Sequence, residues 1–324
     1  MPPTRPERQQ PDGSRVTCAR VEIYAADRNQ PIEVQARIIS ASAAGLPIVE
    51  YQHADLAHDA PMPTLLCFSG GGCSGAVFAL LAERCAAKGV RVVAFDMPGH
   101  TPKGLLGEAT PPRSLISRVN GRVRRAATNA MVARWAAKSP HLDVLSHSAG
   151  IVDIARIAPD HALGIGRFLI CGAGLPGPAA MLIATRASTV GKSAEPLRLS
   201  SMVRHRLIPT GCISDHYGPA SERLTGDLVL AQYHCAEHVG VPLSLLSSRP
   251  VMRRDWNSSR VLLIGSAGDP IAPPNRLMHT AMKLRVRGAV VAVEVLDSPC
   301  PHMFPSFDSP ARRLAEIAAD SSSS

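Results

Sequence analysis

PTLLCFSGGGCSGAVFALLAERCAAKGVRVVAFD, residues 63–96, decides how the rest of the chain is read. It opens on a continuous apolar run (63–68), breaks at a cluster of glycines, resumes as the helical AVFALLAERCAAK (76–88), stops at Gly89 and returns to an apolar run over 90–96. Continuous apolar runs, unlike alternating ones, suit strands buried on both faces, and a helix between two of them is the crossover of a parallel pair. The unit recurs. HLDVLS (141–146), GRFLICG (166–172), RVLLIGS (260–266) and GAVVAVEVLD (288–297) read as strands. Residues 114–138, 149–158, 275–287 and 309–320 read as helices, the second of them stopped by Pro159.

The amino-terminal part differs. RVTCARVEIYAA (15–26) and PIEVQARI (31–38) alternate apolar and polar positions around a turn, which predicts an antiparallel hairpin, and LPIVEYQHAD (46–55) predicts a third short strand. Between 176 and 259 the strand–helix alternation stops and short helical pieces rich in Arg, His and Ser take over. The expected fold class is therefore α/β: a mostly parallel central sheet with an antiparallel N-terminal hairpin, helices on both faces and an inserted helical cap. The core is expected at 15–175 and 260–319, the cap at 176–259, and disordered ends at 1–14 and 320–324.

A chain of 324 residues, 45% hydrophobic and 19% charged, buries a large core. Its net charge of +9 draws on arginine clusters at 113–125 and 201–206, but no aromatic residues interleave with them and no zinc-finger spacing appears. The charge is read as a solvated basic face or a vestibule for anionic substrates, with no nucleic-acid partner. The eight cysteines form no CxxC pair, and Cys67 and Cys171 sit inside apolar runs, so the thiols are read as reduced and the location as cytoplasmic. No leader-like segment and no bilayer-length apolar span is seen. The residues give no indication of oligomeric state.

Two motifs compete for the glycine cluster. GGGCSG (70–75) matches G-x-G-x-x-G through Gly70, Gly72 and Gly75, after a strand and before a helix, with Asp96 about twenty residues on, as a dinucleotide site requires. It is no P-loop, because Ala76 and Val77 stand where Lys and Ser or Thr belong. Alternatively, a glycine-rich turn points backbone N–H groups at a developing oxyanion, which calls for a nucleophile at a neighbouring strand end. Ser148, in SHSAG (146–150), is placed there. The stretch departs from G-x-S-x-G by Ser146 alone, and a sharp strand-to-helix turn tolerates that small residue. Asp269 in GDPIAPP and His302 in PHMFPS each follow the end of a strand. Ser, Asp, His is the chain order of a nucleophile elbow on a parallel sheet, where the hydroxyl needs a base and the base an acid.

On these residues the chain resembles the α/β-hydrolase fold superfamily, from about 60 to 175 and again from 260 to 315. FSGGGCSG is similar to its oxyanion loop, DMPGH to the segment after the next strand, LSHSAG to its elbow, and GDPIAPP and PHMFPS to its acid and histidine loops. Ser69 stands where relatives usually have His. The resemblance implies Ser148 as nucleophile, His302 as base, Asp269 as acid, and the backbone of Gly71 and Ala149 as oxyanion donors. No cofactor and no metal is implied. Gly70, Gly72, Ser74 and His147 remain candidates for substrate contact, and Asp96 becomes a residue that closes a turn before Pro98. Asp297 rivals Asp269 but lies at the end of its own strand. His100 is read as a turn residue. His216, His234 and His238, with Asp215, Cys235 and Glu237 nearby, are read as a polar cap surface in preference to a zinc site.

The expected function is a serine hydrolase acting on an ester or thioester through an acyl-enzyme. The scaffold also hosts acyltransferases, C–C hydrolases, lyases and non-catalytic binders; a dinucleotide-binding oxidoreductase leaves Ser148, Asp269 and His302 unexplained. The expected partner is a small acyl substrate. Arg186, Lys192, Arg198, Arg204 and Arg206 suggest that it is anionic or carrier-bound.

Overall fold

Leu65 and Cys67 face one apolar cluster and Leu66 and Phe68 the other, all four fully buried, which is why residues 63–68 carry no polar alternation. The computed structural model describes residues 8–9, 15–25, 27–28, 30–39, 48–58, 60–70, 74–98, 121–173, 249–269, 272–297, 300–302 and 304–322. Within them ten strands share one sheet, in the order β1-β2-β3-β4-β6-β5-β7-β8-β9-β10. The strands are β1 (Arg8–Gln9), β2 (Arg15–Tyr24), β3 (Pro31–Ile39), β4 (Ile48–His53), β5 (Thr64–Phe68), β6 (Arg91–Asp96), β7 (Leu142–His147), β8 (Ile165–Cys171), β9 (Arg260–Ser266) and β10 (Val290–Leu296). Strands β6, β5, β7, β8, β9 and β10 pair in parallel. The first four are antiparallel, and β4 joins β6 antiparallel over Val49–Tyr51. A mostly parallel sheet with an antiparallel start is the architecture expected of the sequence.

Helices cover both faces. On one lie α1 (Ala79–Ala86) and α7 (Asp308–Ser322), packed on Leu65, Val92, Leu145 and Leu169. On the other lie α2 (Gly121–Ala136), α3 (Ile151–Ile154) and α6 (Pro274–Val286), packed on Phe68, Phe95, Val144 and Ile170 with Trp135 and Trp256 at 0% exposure. Each large side chain buried this way contributes about 1.5–3 kcal/mol. Arg124 on α2 donates to both carboxylate oxygens of Asp153 on α3, at 3.0 and 2.5 Å, both residues fully buried. That paired charge fixes the helix that follows Ser148.

Several boundaries differ from the sequence reading. Arg8–Gln9, expected within a disordered end, pairs with Arg15 and Val16. The last helix continues to Ser322, past the expected start of the tail at 320. Residues 249–259, expected in the cap, belong to the core: α5 (Arg249–Arg253) precedes Trp256, whose ring packs edge-on against Phe168 at 5.6 Å. The helix expected over 149–158 ends at Ile154, and Pro159 starts a new short helix, α4 (Pro159–Ala162), because a first helical position needs no N–H. The rest of the expected cap, with its arginines, Lys192, His216, His234 and His238, lies outside the described residues, as do His100 and residues 114–120.

Cys18, Cys67, Cys85, Cys171 and Cys300 are free thiols. Burial pushes Cys85 up to about 12 and raises Cys67 and Cys171 as well, so these three behave as small apolar side chains. No helix among the described residues is long and apolar enough to cross a membrane.

Candidate active site

Strand β7 runs straight into a turn at Ser148–Gly150, and Ser148 takes φ +53°, a left-handed conformation that only one other described non-glycine residue, Ser258, adopts. Such a residue costs of order 1 kcal/mol and persists where the fold over-determines it. Here the surroundings do so. Gly150 packs against β5 so closely that a Cβ there would lie 2.7 Å from the Phe68 carbonyl oxygen and 3.0 Å from that of Ser69. A side chain would therefore push the turn off the sheet. His147 before the turn is 1% exposed, while Ser148 and Ala149 are half-buried, so the turn lifts the serine out of the core.

The glycine turn after β5 passes directly beside this serine. A Cβ built on Gly70 would be 3.0 Å from Ser148 Cβ and 3.4 Å from the His147 carbonyl oxygen. Gly71 and Gly72 lie outside the described residues. The far end of the turn is anchored by Asp96, at 0% exposure. Its Oδ1 accepts from the Ser74 hydroxyl and the Gly75 N–H, both at 2.7 Å, and its Oδ2 accepts from the Tyr51 hydroxyl at 2.6 Å. Ser74 in turn accepts from the N–H of Ala76 at 3.1 Å and caps the 3-10 turn Gly75–Phe78.

Two sequence readings change as a result. Asp96 clamps the glycine turn, beyond closing a turn of its own, and with both carboxylate oxygens engaged in the core it is not placed to hold a ribose. Ser74, a candidate for substrate contact, is fully buried beneath the turn with its hydroxyl on Asp96. Replacing Asp96 with alanine strands three buried donors, so unfolding free energy should fall by about 3 kcal/mol or more in urea titrations. Activity should fall more than the folded fraction does, because the turn loses its anchor.

On the same rim of the sheet, His302 Nδ1 lies 2.8 Å from Asp269 Oδ2, with both side chains at most 1% exposed. The other oxygen of Asp269 accepts from the N–H of Ala272 at 2.9 Å, which fixes the carboxylate plane. Asp297 is exposed at the end of β10, so Asp269 is the acid that meets the imidazole. His147, a candidate for substrate contact, is buried against the loop that carries His302. Its Nε2 lies 2.9 Å from the His302 carbonyl oxygen, and its ring sits 4.8 Å from that of His302 and 6.1 Å from Phe304. It props the loop that carries His302. Gly70 thus lies beside Ser148, and His147 and Asp269 beside His302, past the carboxyl ends of β5, β7, β9 and β10, where sheets of this kind carry their sites. No group of three or more metal-ligating side chains is found among the described residues.

A family model described as the alpha/beta hydrolase family matches residues 65–317. No curated protein matches the chain. Among solved structures, an esterase from Exiguobacterium antarcticum is 13% identical, with a TM-score of 0.59, over 89% of this chain and 99% of that one. A soluble variant of the monoglyceride lipase of Saccharomyces cerevisiae, bound to a substrate analog, is 13% identical, with a TM-score of 0.58, over 88% and 91%. A haloalkane dehalogenase from Paraglaciecola agarilytica is 12% identical, with a TM-score of 0.56, over 86% and 91%. At such identities the likeness establishes a shared fold, on which those proteins carry different reactions.

Proposed function

The chain belongs to the alpha/beta hydrolase family, and from that premise we propose that it is a serine hydrolase that cleaves a carboxylic ester or thioester through an acyl-enzyme. The observation that carries this reading is a serine with left-handed backbone at a strand end, on the same rim of the sheet as an imidazole held 2.8 Å from a buried carboxylate.

Ser148 Oγ attacks the acyl carbon, and its proton passes to Nε2 of His302. Asp269 accepts the Nδ1–H of His302, which leaves Nε2 with the lone pair that takes the proton and stabilises the imidazolium once formed. The carbonyl oxygen becomes an oxyanion that the backbone N–H of Ala149 receives, with Gly71 the second donor that the family resemblance implies. One such donor is worth about 3 kcal/mol in comparable sites, so the turn clamped by Asp96 matters nearly as much as the triad. The tetrahedral adduct collapses, the bond to the alkoxide or thiolate breaks, and His302 protonates the departing group. Water, deprotonated by His302, then attacks the acyl-serine and releases the carboxylic acid. Gly70 has no side chain to crowd the adjacent serine, and no cofactor or metal enters any step.

The test is covalent labelling of the full-length protein with a fluorophosphonate, followed by peptide mass spectrometry and hydrolysis assays on p-nitrophenyl esters and acyl thioesters. A label on the peptide carrying Ser148, with turnover of either substrate class, is the expected result. A folded protein that takes no label would make the chain a binder on the same scaffold. Labelling with no hydrolysis of either class would point to transfer of the acyl group to an acceptor other than water.

A further inference from the structure

A concavity of about 720 Å³ opens at the amino ends of β8 and β9, on the opposite rim of the sheet from Ser148. Seven residues of β8, roughly 20 Å of strand, separate it from the catalytic rim. Among the described residues five arginines line it, Arg125, Arg156, Arg253, Arg254 and Arg260, with one carboxylate, Asp255, and no lysine. Arg156 pairs with Asp153 at 3.2 Å. Arg125, Arg253, Arg254 and Arg260 have no ion pair within 4 Å among the described residues.

Arg254 is built into the wall. Its guanidinium carbon lies 4.6 Å from the centre of the Trp256 ring and 5.1 Å from that of Phe168. Nη1 donates to the carbonyls of Ile154 and Ile157 at 2.9 and 3.0 Å, while Nε is buried with no hydrogen-bond partner among the described residues. Burial lowers its pKa to about 10, so it stays charged at neutral pH. Arg125, Arg253 and Arg260 are exposed at the rim. Between them the lining mixes the polar Asn257, Ser258 and Ser259 with apolar residues, of which Ile157 and Phe168 are buried and Leu163 is 89% exposed.

Among the described residues five arginines face one carboxylate around this concavity, Asp255, which acts on Arg254; the excess of cations repels itself, and a multivalent anion relieves that repulsion. A lining of arginine without lysine favours the planar, two-pronged hydrogen bonding that phosphate oxygens accept. The volume falls in the range of small-molecule sites, and the apolar patches give a ring or short chain something to cover. We propose that this pocket binds a polyphosphorylated organic anion of nucleotide size, with its phosphates on Arg125, Arg253, Arg254 and Arg260 and its organic part against Ile157 and Leu163. The site is independent of the hydrolase reading.

Isothermal titration of the full-length protein with ATP, inorganic tripolyphosphate and sulfate at matched ionic strength tests it. ATP is expected to bind at least tenfold more tightly than tripolyphosphate, and sulfate not measurably. The charge-reversed R253E/R260E protein, altered at exposed positions, is expected to keep its ligand-free Tm and bind ATP at least tenfold more weakly. Absence of ATP binding, or binding that R253E/R260E leaves unchanged, would overturn the site. Tripolyphosphate binding as tight as ATP would overturn the organic half of the proposal.

Discussion

Ser148→Ala is expected to abolish fluorophosphonate labelling and to lower kcat on any ester or thioester the protein turns over by about 10⁴–10⁶-fold. The size follows from chemistry. Removing the hydroxyl removes the covalent route, leaving only the oxyanion donors and binding to act on a water. Stability should hardly change, since alanine meets the same left-handed backbone at φ +53° that serine does. Ser148→Gly separates the two effects further. It is equally inactive, yet it should be stabilised by about 1 kcal/mol, because glycine adopts that conformation without steric cost. Thermal unfolding of the three proteins side by side checks the sign. A glycine variant less stable than the alanine one would mean that the surrounding turn, not the residue, sets the conformation.

Asp269→Asn is expected to lower kcat by about 10⁴-fold while leaving the fold in place. The amide oxygen can still accept from the N–H of Ala272, as Oδ1 does now at 2.9 Å, so the loop keeps its anchor. The amide nitrogen then faces Nδ1 of His302 where Oδ2 stands at 2.8 Å, and it donates where the carboxylate accepts. The imidazole responds by carrying its proton on Nε2, the wrong nitrogen for taking one from Ser148. Asp297→Asn, at an exposed strand end, should change kcat by less than about twofold, so steady-state kinetics on the pair identify which acid is at work.

What the sequence disclosed and what it hid divide along physical lines. Runs buried on both sides differ in how plainly they announce themselves: 63–68 carries one polar residue, Thr64, whereas 142–147 carries three, Asp143, Ser146 and His147. Ser148, Asp269 and His302 stand out as candidates because each follows a strand by a few residues, the strand before His302 being the partly exposed β10. The clamp at Asp96 does not, since the Tyr51 hydroxyl that meets it lies 45 residues upstream on an antiparallel strand, and no local pattern marks a cross-sheet hydrogen bond. His147 is only a minor candidate for substrate contact, since adjacent residues at a turn point apart. Strand parity puts it on the same face as Leu145, in the cluster that holds Phe304, which is where its ring is found. Trp256 sat in a stretch dominated by Arg and Ser, and only its burial against Phe168 shows that the core begins there.

The hydrogen bond from Tyr51 to Asp96 also sets how this protein can be shortened. Sequence similarity to the family begins at residue 65, so an engineer trimming to the matched region would discard β4 as an appendage. Yet β4 supplies the tyrosine that holds the carboxylate under the glycine turn, and it closes the hydrogen-bonding edge of β6 along Val49–Tyr51. A truncated chain would bare a sticky strand to its neighbours in solution and slacken the catalytic rim in the same cut. The minimal working unit therefore starts upstream of residue 48.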